Sequence, residues 1–164
     1  MRVFLLWLAF VCGMFVVQAS LLPLVSYGGI SPDLLLLMVV SISFLRGSRM
    51  GVFLGFLAGM LQDLVTGTFF GMNIFSKMLI GYVCGIFSNR VFKEQVFLPL
   101  FASLLATVLN YVVILIIMFL LGYAYSMPSH LETVLLPMLW YNVLLAVPVH
   151  ILTSGMCDKL AEKK

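Results

Sequence analysis

The chain contains apolar runs too long and too uniform for the interior of a small water-soluble domain. Residues 96–121 carry no charged side chain, and the run VVILIIMFLL at residues 112–121 shows no alternation of polar and apolar residues. Only helices and closed β-barrels satisfy their backbone hydrogen bonds inside a bilayer, and barrel strands alternate between lipid-facing and lumen-facing residues. The sequence therefore predicts an all-α integral membrane protein.

Composition supports this class. It also offers few residues of the kinds that form catalytic or metal sites. Of the 164 residues, 63% are hydrophobic and only 9% are charged, whereas soluble domains carry about a quarter charged residues. Cys12, Cys84 and Cys157 are far apart and form no CxxC pair, so neither a disulfide framework nor a metal site is predicted. We expect no cofactor, no catalytic residues and no binding of nucleic acid.

Charges, prolines and glycine clusters divide the chain into six apolar segments. We interpret them as helices of one transmembrane domain covering residues 1–164, with bounds of about 3–22, 32–45, 50–65, 73–88, 96–121 and 132–154. A helix needs about 20 residues to span a bilayer comfortably. The first, fifth and sixth segments reach that length. The second to fourth are short, and we expect them to span only when packed among longer neighbours.

The basic residues predict an orientation. Eight of the nine Lys and Arg residues lie at the termini or in the loops after the second and fourth segments, while the alternate loops contain none; the eight are Arg2, Arg46, Arg49, Arg90, Lys93, Lys159, Lys163 and Lys164. Cytoplasmic loops of membrane proteins are enriched in Lys and Arg. Both termini are therefore predicted to lie in the cytoplasm.

Two predicted helices carry glycine stripes that lead to a charge. Gly51, Gly55 and Gly59 recur every four residues and Asp63 continues the stripe, whereas in the next helix Lys77 is followed at the same spacing by Gly81 and Gly85. Such faces allow close approach of two helix backbones in lipid. We expect these two helices to pack closely through their glycines.

Asp63 and Lys77 are the charged residues within these two predicted helices. Each lies thirteen or fourteen residues from the nearest cytoplasmic arginine, or roughly 20 Å along a helix. An unpaired charge at mid-membrane costs at least ~2.5 kcal/mol, so we predict a buried ion pair between them. The alternative is that each side chain extends separately to the outer headgroups.

Local sequence also predicts helix ends. Ser31 is expected to cap the second helix, with Pro32 at its first position. Gly67 is expected to end the third helix and Asn73 to cap the fourth. Ser129 and Glu132 fit a capping box before the sixth.

Several motifs recur along the chain, most of them between residues 32 and 85. They are Ser31-Pro32-Asp33 before an apolar helix, Leu45-Arg46-Gly47, GFLAGMLQDLVTG at residues 55–67, Phe70-Gly71-Met72-Asn73, the Lys77, Gly81 and Gly85 spacing, and Asn142 with Pro148 in the last helix. In this order they resemble the rod shape-determining protein MreD family. The resemblance covers most of the chain in length and order.

The resemblance implies a non-enzymatic scaffold in the bacterial cytoplasmic membrane that takes part in cell-wall (peptidoglycan) elongation and cell shape. The implied partner is MreC, a bitopic membrane protein, alongside MreB and the wall synthase formed by RodA and its transpeptidase. The implied fold is similar to the substrate-binding S-components of energy-coupling-factor transporters.

Two other functions compete with a scaffold. A small-molecule transporter subunit is suggested by the short, glycine-interrupted middle helices, with Gln62, Asp63, Asn73 and Lys77 lining a cavity. If such a pocket had lost its ligand, we expect it to be filled by Met60, Met72, Phe69 and Phe70. An intramembrane enzyme is the weakest alternative, because the only two histidines, His130 and His150, are predicted to lie at opposite membrane surfaces.

Overall fold

The computed structural model describes residues 2–24, 26, 30–67, 69–89, 97–123 and 131–161. The described chain is helical and contains six α-helices, in agreement with the predicted all-α class. They are α1 (Arg2–Ser20), α2 (Leu34–Arg46), α3 (Ser48–Thr66), α4 (Met72–Ile86), α5 (Phe97–Leu120) and α6 (Leu136–Ala161). A single π-helical turn, Leu131–Leu135, leads directly into α6.

Helix α2 lies at the centre of the bundle and contacts each of the other five helices. All ten residues from Leu34 to Ser43 are buried, so its apolar side chains face protein on every side. Its 13 residues extend about 20 Å, less than the ~30 Å thickness of a bilayer core. A helix this short fits in the bundle because the surrounding helices, not lipid, cover its sides.

Within the described part of the chain, three helical stretches are long and apolar enough to cross a membrane: Val3–Leu24, Pro99–Leu120 and Glu132–Leu160. Helices α2 and α4 are apolar but shorter. The long helices α1, α5 and α6 expose many apolar side chains, as lipid-facing helices do, whereas α2 exposes none between Leu34 and Ser43.

Helices α3 and α4 form the closest helix pair, and their glycines lie at the contact. A Cβ atom added to Gly55 would lie 2.5 Å from the backbone carbonyl oxygen of Lys77. Gly51 lies against Gly81, and Gly59 against the backbone of Ile74. The helices approach to backbone contact here, leaving no room for a side chain on either stripe.

Glycines with positive φ angles make the turns around these helices. Gly47 (φ 84°) alone separates α2 from α3, and Gly71 (φ 104°) precedes α4. Gly67 (φ 61°) ends α3, and its N–H donates to the carbonyl of Asp63. Because side chains strain this left-handed region, the turns depend on glycine at these positions.

Two predicted helix starts are wrong. Helix α2 begins at Leu34 and is capped by Asp33, whose Oδ1 accepts from Leu36 N, so neither Ser31 nor Pro32 has its predicted role. Helix α4 begins at Met72, so Asn73 already lies inside it. The proposed capping-box residue Ser129 lies outside the described residues, as do the basic residues Arg90, Lys93, Lys163 and Lys164.

We predict that Gly55→Ala destabilises the protein, because the new methyl group would meet the backbone of Lys77. Overpacking of this kind costs about 1–3 kcal/mol, which opposes the better helix propensity of alanine. The free energy of unfolding in mixed micelles measures the effect.

Gly13→Ala is the matched control, since no atom lies within 4 Å of a Cβ at Gly13 of α1. This variant should be neutral or slightly stabilised. Equal stability of the two variants would contradict close packing at Gly55.

Candidate functional site: a buried polar network

The centre of the bundle contains an ion pair between Lys77 of α4 and Asp33 at the start of α2. Lys77 Nζ lies 2.7 Å from Asp33 Oδ2, and the two side chains are 0% and 6% exposed. A single charge at the middle of a membrane helix costs ~2.5–3.5 kcal/mol. Each of these charges neutralises the other at a site where both side chains are buried.

Asp33 also joins the pair to α5 and α6. Its backbone N–H donates to Asn142 Oδ1 of α6 at 2.9 Å, and Asn142 Nδ2 donates to Thr107 Oγ1 of α5 at 2.9 Å. Asn142 and Thr107 are fully buried. Four helices therefore meet at one chain of hydrogen bonds that runs from Lys77 to Thr107.

Two further bonds surround this chain. Ser76 Oγ of α4 donates to Asn110 Oδ1 of α5 at 2.5 Å. At the start of α2, Gln18 Oε1 of α1 accepts from Leu35 N at 3.1 Å. The polar network thus fixes the relative heights of α1, α2, α4, α5 and α6.

Asp63 has a separate structural role at the turn between α3 and α4. Its two carboxylate oxygens accept from the backbone N–H groups of Gly71, Asn73 and Ile74 at 2.8, 3.0 and 3.2 Å, and from Asn73 Nδ2 at 2.8 Å. These N–H groups open α4, where a helix leaves donors unpaired and carries partial positive charge. Asp63 supplies the cap that was predicted for Asn73.

The predicted ion pair between Asp63 and Lys77 is therefore wrong. Lys77 faces Gly55 across the hairpin, and Asp63 lies eight residues farther along α3, about 12 Å closer to the turn. The short connection from Gly67 to Gly71 fixes this register. Asp63 consequently reaches the first turn of α4, and Lys77 reaches the first residues of α2.

The partner that sequence reasoning missed is Asp33, although one sequence signal indicated it. Asp33 lies thirteen residues before Arg46, and Lys77 lies thirteen residues before Arg90. The same depth estimate that placed Asp63 near Lys77 places Asp33 at an equal depth. From the sequence, Asp33 is predicted only as a residue of the family motif at the start of the second helix, with no ion-pair partner.

Other residues of the motif are found at helix ends and in the core. The Arg46 guanidinium donates to the carbonyl of Cys157 at 2.5 Å and so ties the end of α2 to α6. Pro32 is buried beside Asp33. Pro148 lies within α6, which continues through it to Ala161, beyond the predicted end at residue 154.

Apolar pockets lie along α5 and α6 in the described part of the chain, and three of them have volumes of about 290, 230 and 510 Å³. Their walls are mainly aliphatic and aromatic, and Asn110 is the one residue of the polar network that contributes to them. Gln62, Asp63, Asn73 and Lys77 line none of the three. Of the four residues suggested for a transport cavity, Lys77 lies in the ion pair. The other three lie at or near the turn between α3 and α4.

The four residues expected to fill a pocket that had lost its ligand differ widely in burial. Met72 is buried, Met60 and Phe69 are half-buried, and Phe70 is 70% exposed at the turn. Within the described ranges, no group of three or more His, Cys, Asp or Glu side chains is arranged to hold a metal ion. Two buried polar atoms lack a partner there, Gln62 Oε1 and His150 Nδ1.

Comparison with known protein families gives a match over nearly the whole chain. The sequence model of the family described as rod shape-determining protein MreD matches residues 1–160. No curated protein and no solved structure matches the chain.

We predict that Asp33→Asn and Lys77→Met each destabilise the protein by about 3–5 kcal/mol, because either change leaves the other charge buried and unpaired. Asparagine is still able to cap α2. The double variant should therefore lose clearly less than the sum of the two single losses. Unfolding free energies of the four proteins give the coupling.

The control cycle combines Asp63→Asn with Lys77→Met. These residues share no hydrogen bond, so their effects should add to within about 0.5 kcal/mol. A larger coupling in this cycle than in the Asp33 cycle would contradict the observed pairing.

Neighbouring residues test the role of Asp63. Asp63→Ala removes all four hydrogen bonds to α4 and should lower stability by at least the ~1–2 kcal/mol of a lost helix cap. Gln62→Met removes an unpartnered buried oxygen while keeping a similar length, and it should be neutral or stabilising. Equal losses in both variants would show that any change at this turn is harmful, whatever the bonding of Asp63.

Proposed function

The chain belongs to the family of the rod shape-determining protein MreD, and we propose that within the shape-determining machinery it acts as a non-enzymatic scaffold that binds a bitopic MreC-like protein through membrane-embedded surfaces. MreB and the wall synthase formed by RodA and its transpeptidase are then members of the same peptidoglycan-elongation assembly. The family itself supports a rod shape-determining role in a membrane. Binding of these partners goes beyond the family assignment and is our proposal.

The observation that carries the proposal is the internal use of the buried charges. Lys77 and Asp33 bind each other, and Asp63 binds the start of α4. A carrier for a polar substrate needs polar groups available to that substrate, whereas these groups are occupied by hydrogen bonds between helices. This bonding favours a rigid bundle that presents a constant surface to other membrane proteins.

We further propose six membrane spans with both termini in the cytoplasm of a bacterial cell. The alternation of basic loops supports the orientation. The three long apolar helices support three spans by length and composition. For α2 and α4, support comes from their packing inside the bundle, where neighbouring helices replace part of the lipid contact.

The test is co-expression of the full chain with the MreC-like protein of the same genome, followed by native mass spectrometry after gentle solubilisation. We expect the two proteins to be released together in a fixed ratio. The matched control replaces the single transmembrane helix of the MreC-like protein with an unrelated apolar helix, and this exchange should abolish the complex.

Depletion of the protein should also convert rod-shaped cells into round ones, and expression of the unchanged chain should restore them. Absence of the complex together with a stoichiometric bound small molecule would contradict the scaffold and support a transporter subunit. Retention of the complex after the helix exchange would contradict recognition within the membrane.

A further inference from the structure

Helices α5 and α6 are joined by the hydrogen bond from Asn142 Nδ2 to Thr107 Oγ1, and beyond this bond two apolar pockets lie beside them. The pockets have volumes of about 230 and 510 Å³ and lie between α5 and the residues from the π-helical turn to the first turn of α6. Tyr111 and Leu115 line both pockets, so the two adjoin each other. We call their combined space, which extends along α5 toward its end at Leu120, the α5–α6 cleft.

Asn110 places a side-chain amide at the inner end of this cleft. The residue lines the smaller pocket and is only 1% exposed. Its Oδ1 accepts from Ser76 Oγ of α4, whereas the two N–H donors on Nδ2 take part in no hydrogen bond with the described part of the chain. The amide therefore offers a donor to a group that enters the cleft.

This donor lies near the middle of the membrane. Asn110 is eleven residues from the start and ten from the end of the apolar stretch Pro99–Leu120, or about 16 and 15 Å, and a bilayer core is ~30 Å thick. Acyl chains carry no hydrogen-bond acceptor at this depth, and phospholipid headgroups lie about 15 Å away. Polar side chains of a second transmembrane helix do reach acceptors to this level.

The shape of the cleft also suits a helix. From Asn110 to Leu120 it runs for ten residues, about 15 Å or three helical turns. Apart from Asn110 its walls are aliphatic and aromatic. Val112 and Ile116 on its rim are 41% and 53% exposed, so the cleft is open at the side of the bundle. Helices associate in lipid through such packing, and hydrogen bonds between them add to it.

We propose that the α5–α6 cleft binds the single transmembrane helix of the MreC-like protein, and that Asn110 Nδ2 donates to a Ser, Thr, Asn or Gln side chain near the middle of that helix. This inference rests on the proposed function and adds the binding surface and the group that recognises the partner. A helix with only aliphatic side chains at this level leaves the Asn110 donors unpaired, which disfavours unrelated helices.

Crosslinking in intact membranes tests the surface. The photoreactive residue p-benzoylphenylalanine replaces either Val112, on the rim of the cleft, or Phe75, which faces outward from α4 and is 58% exposed. The full chain is co-expressed with the MreC-like protein and irradiated. We expect the Val112 position to crosslink to the transmembrane helix of the MreC-like protein, and the Phe75 position to give at least tenfold less of this product.

Two variants test the amide. Asn110→Leu and Ser76→Ala both remove the bond between Ser76 and Asn110, but only Asn110→Leu removes the donors in the cleft. We expect Asn110→Leu to raise the dissociation constant of the complex in lipid nanodiscs about threefold to tenfold, and Ser76→Ala to leave it within about twofold. Leucine at the central polar residue of the partner helix should have the same effect as Asn110→Leu, and combining the two changes should add little.

Several results would overturn the proposal. They are a Val112 crosslink to lipid alone or to a second copy of the chain, a partner helix without a polar side chain in its central turns, and equal weakening by Asn110→Leu and Ser76→Ala. If native mass spectrometry still shows the complex, each of these results rejects the cleft and leaves the scaffold intact. Absence of the complex for the unchanged chain rejects the proposed function itself.

Discussion

A lysine ammonium group with no exposed surface needs a partner inside the protein, and the position of Asp33 supplies it. The pair forms at the first turn of α2, the helix that contacts all the others. Asp33 therefore serves α2 as its cap, α4 as its counter-ion and α6 as a backbone donor. Loss of this carboxylate would remove the cap of α2 and the counter-ion of Lys77 together, while the backbone donor to Asn142 would remain.

Close packing of α3 and α4 is the second requirement, because it sets where Lys77 lies. Gly55 allows the backbone of α3 to reach that of Lys77, which turns the lysine side chain away from α3 and toward α2. At the turn, Asp63 binds the free N–H groups of α4 and fixes the hairpin register. The two buried acids thus have different roles, one neutralising a charge and the other capping a helix.

Much of the fold was accessible from the sequence, whereas the choice between Asp33 and Asp63 as the partner of Lys77 was not. Long apolar runs predicted the all-α class, and the motifs around residues 32–85 indicated the family that the comparison with known proteins shows. The error concerned Asp63 and Lys77, whose relative heights were estimated from the distant arginines Arg49 and Arg90. The five-residue connection between α3 and α4 sets the register instead, and it moves Asp63 about 12 Å away from the level of Lys77.

By itself, the sequence determined that this chain is helical and belongs to the membrane, because its apolar runs leave backbone groups no other way to be satisfied. It also determined which residues carry charge and that Gly67 ends the third helix. Only the tertiary structure decided which charges meet and that α2 is covered on all sides. The physical reason is that helix periodicity specifies a face within one helix, while the height and rotation of one helix against another depend on packing and hydrogen bonds formed only in the complete bundle.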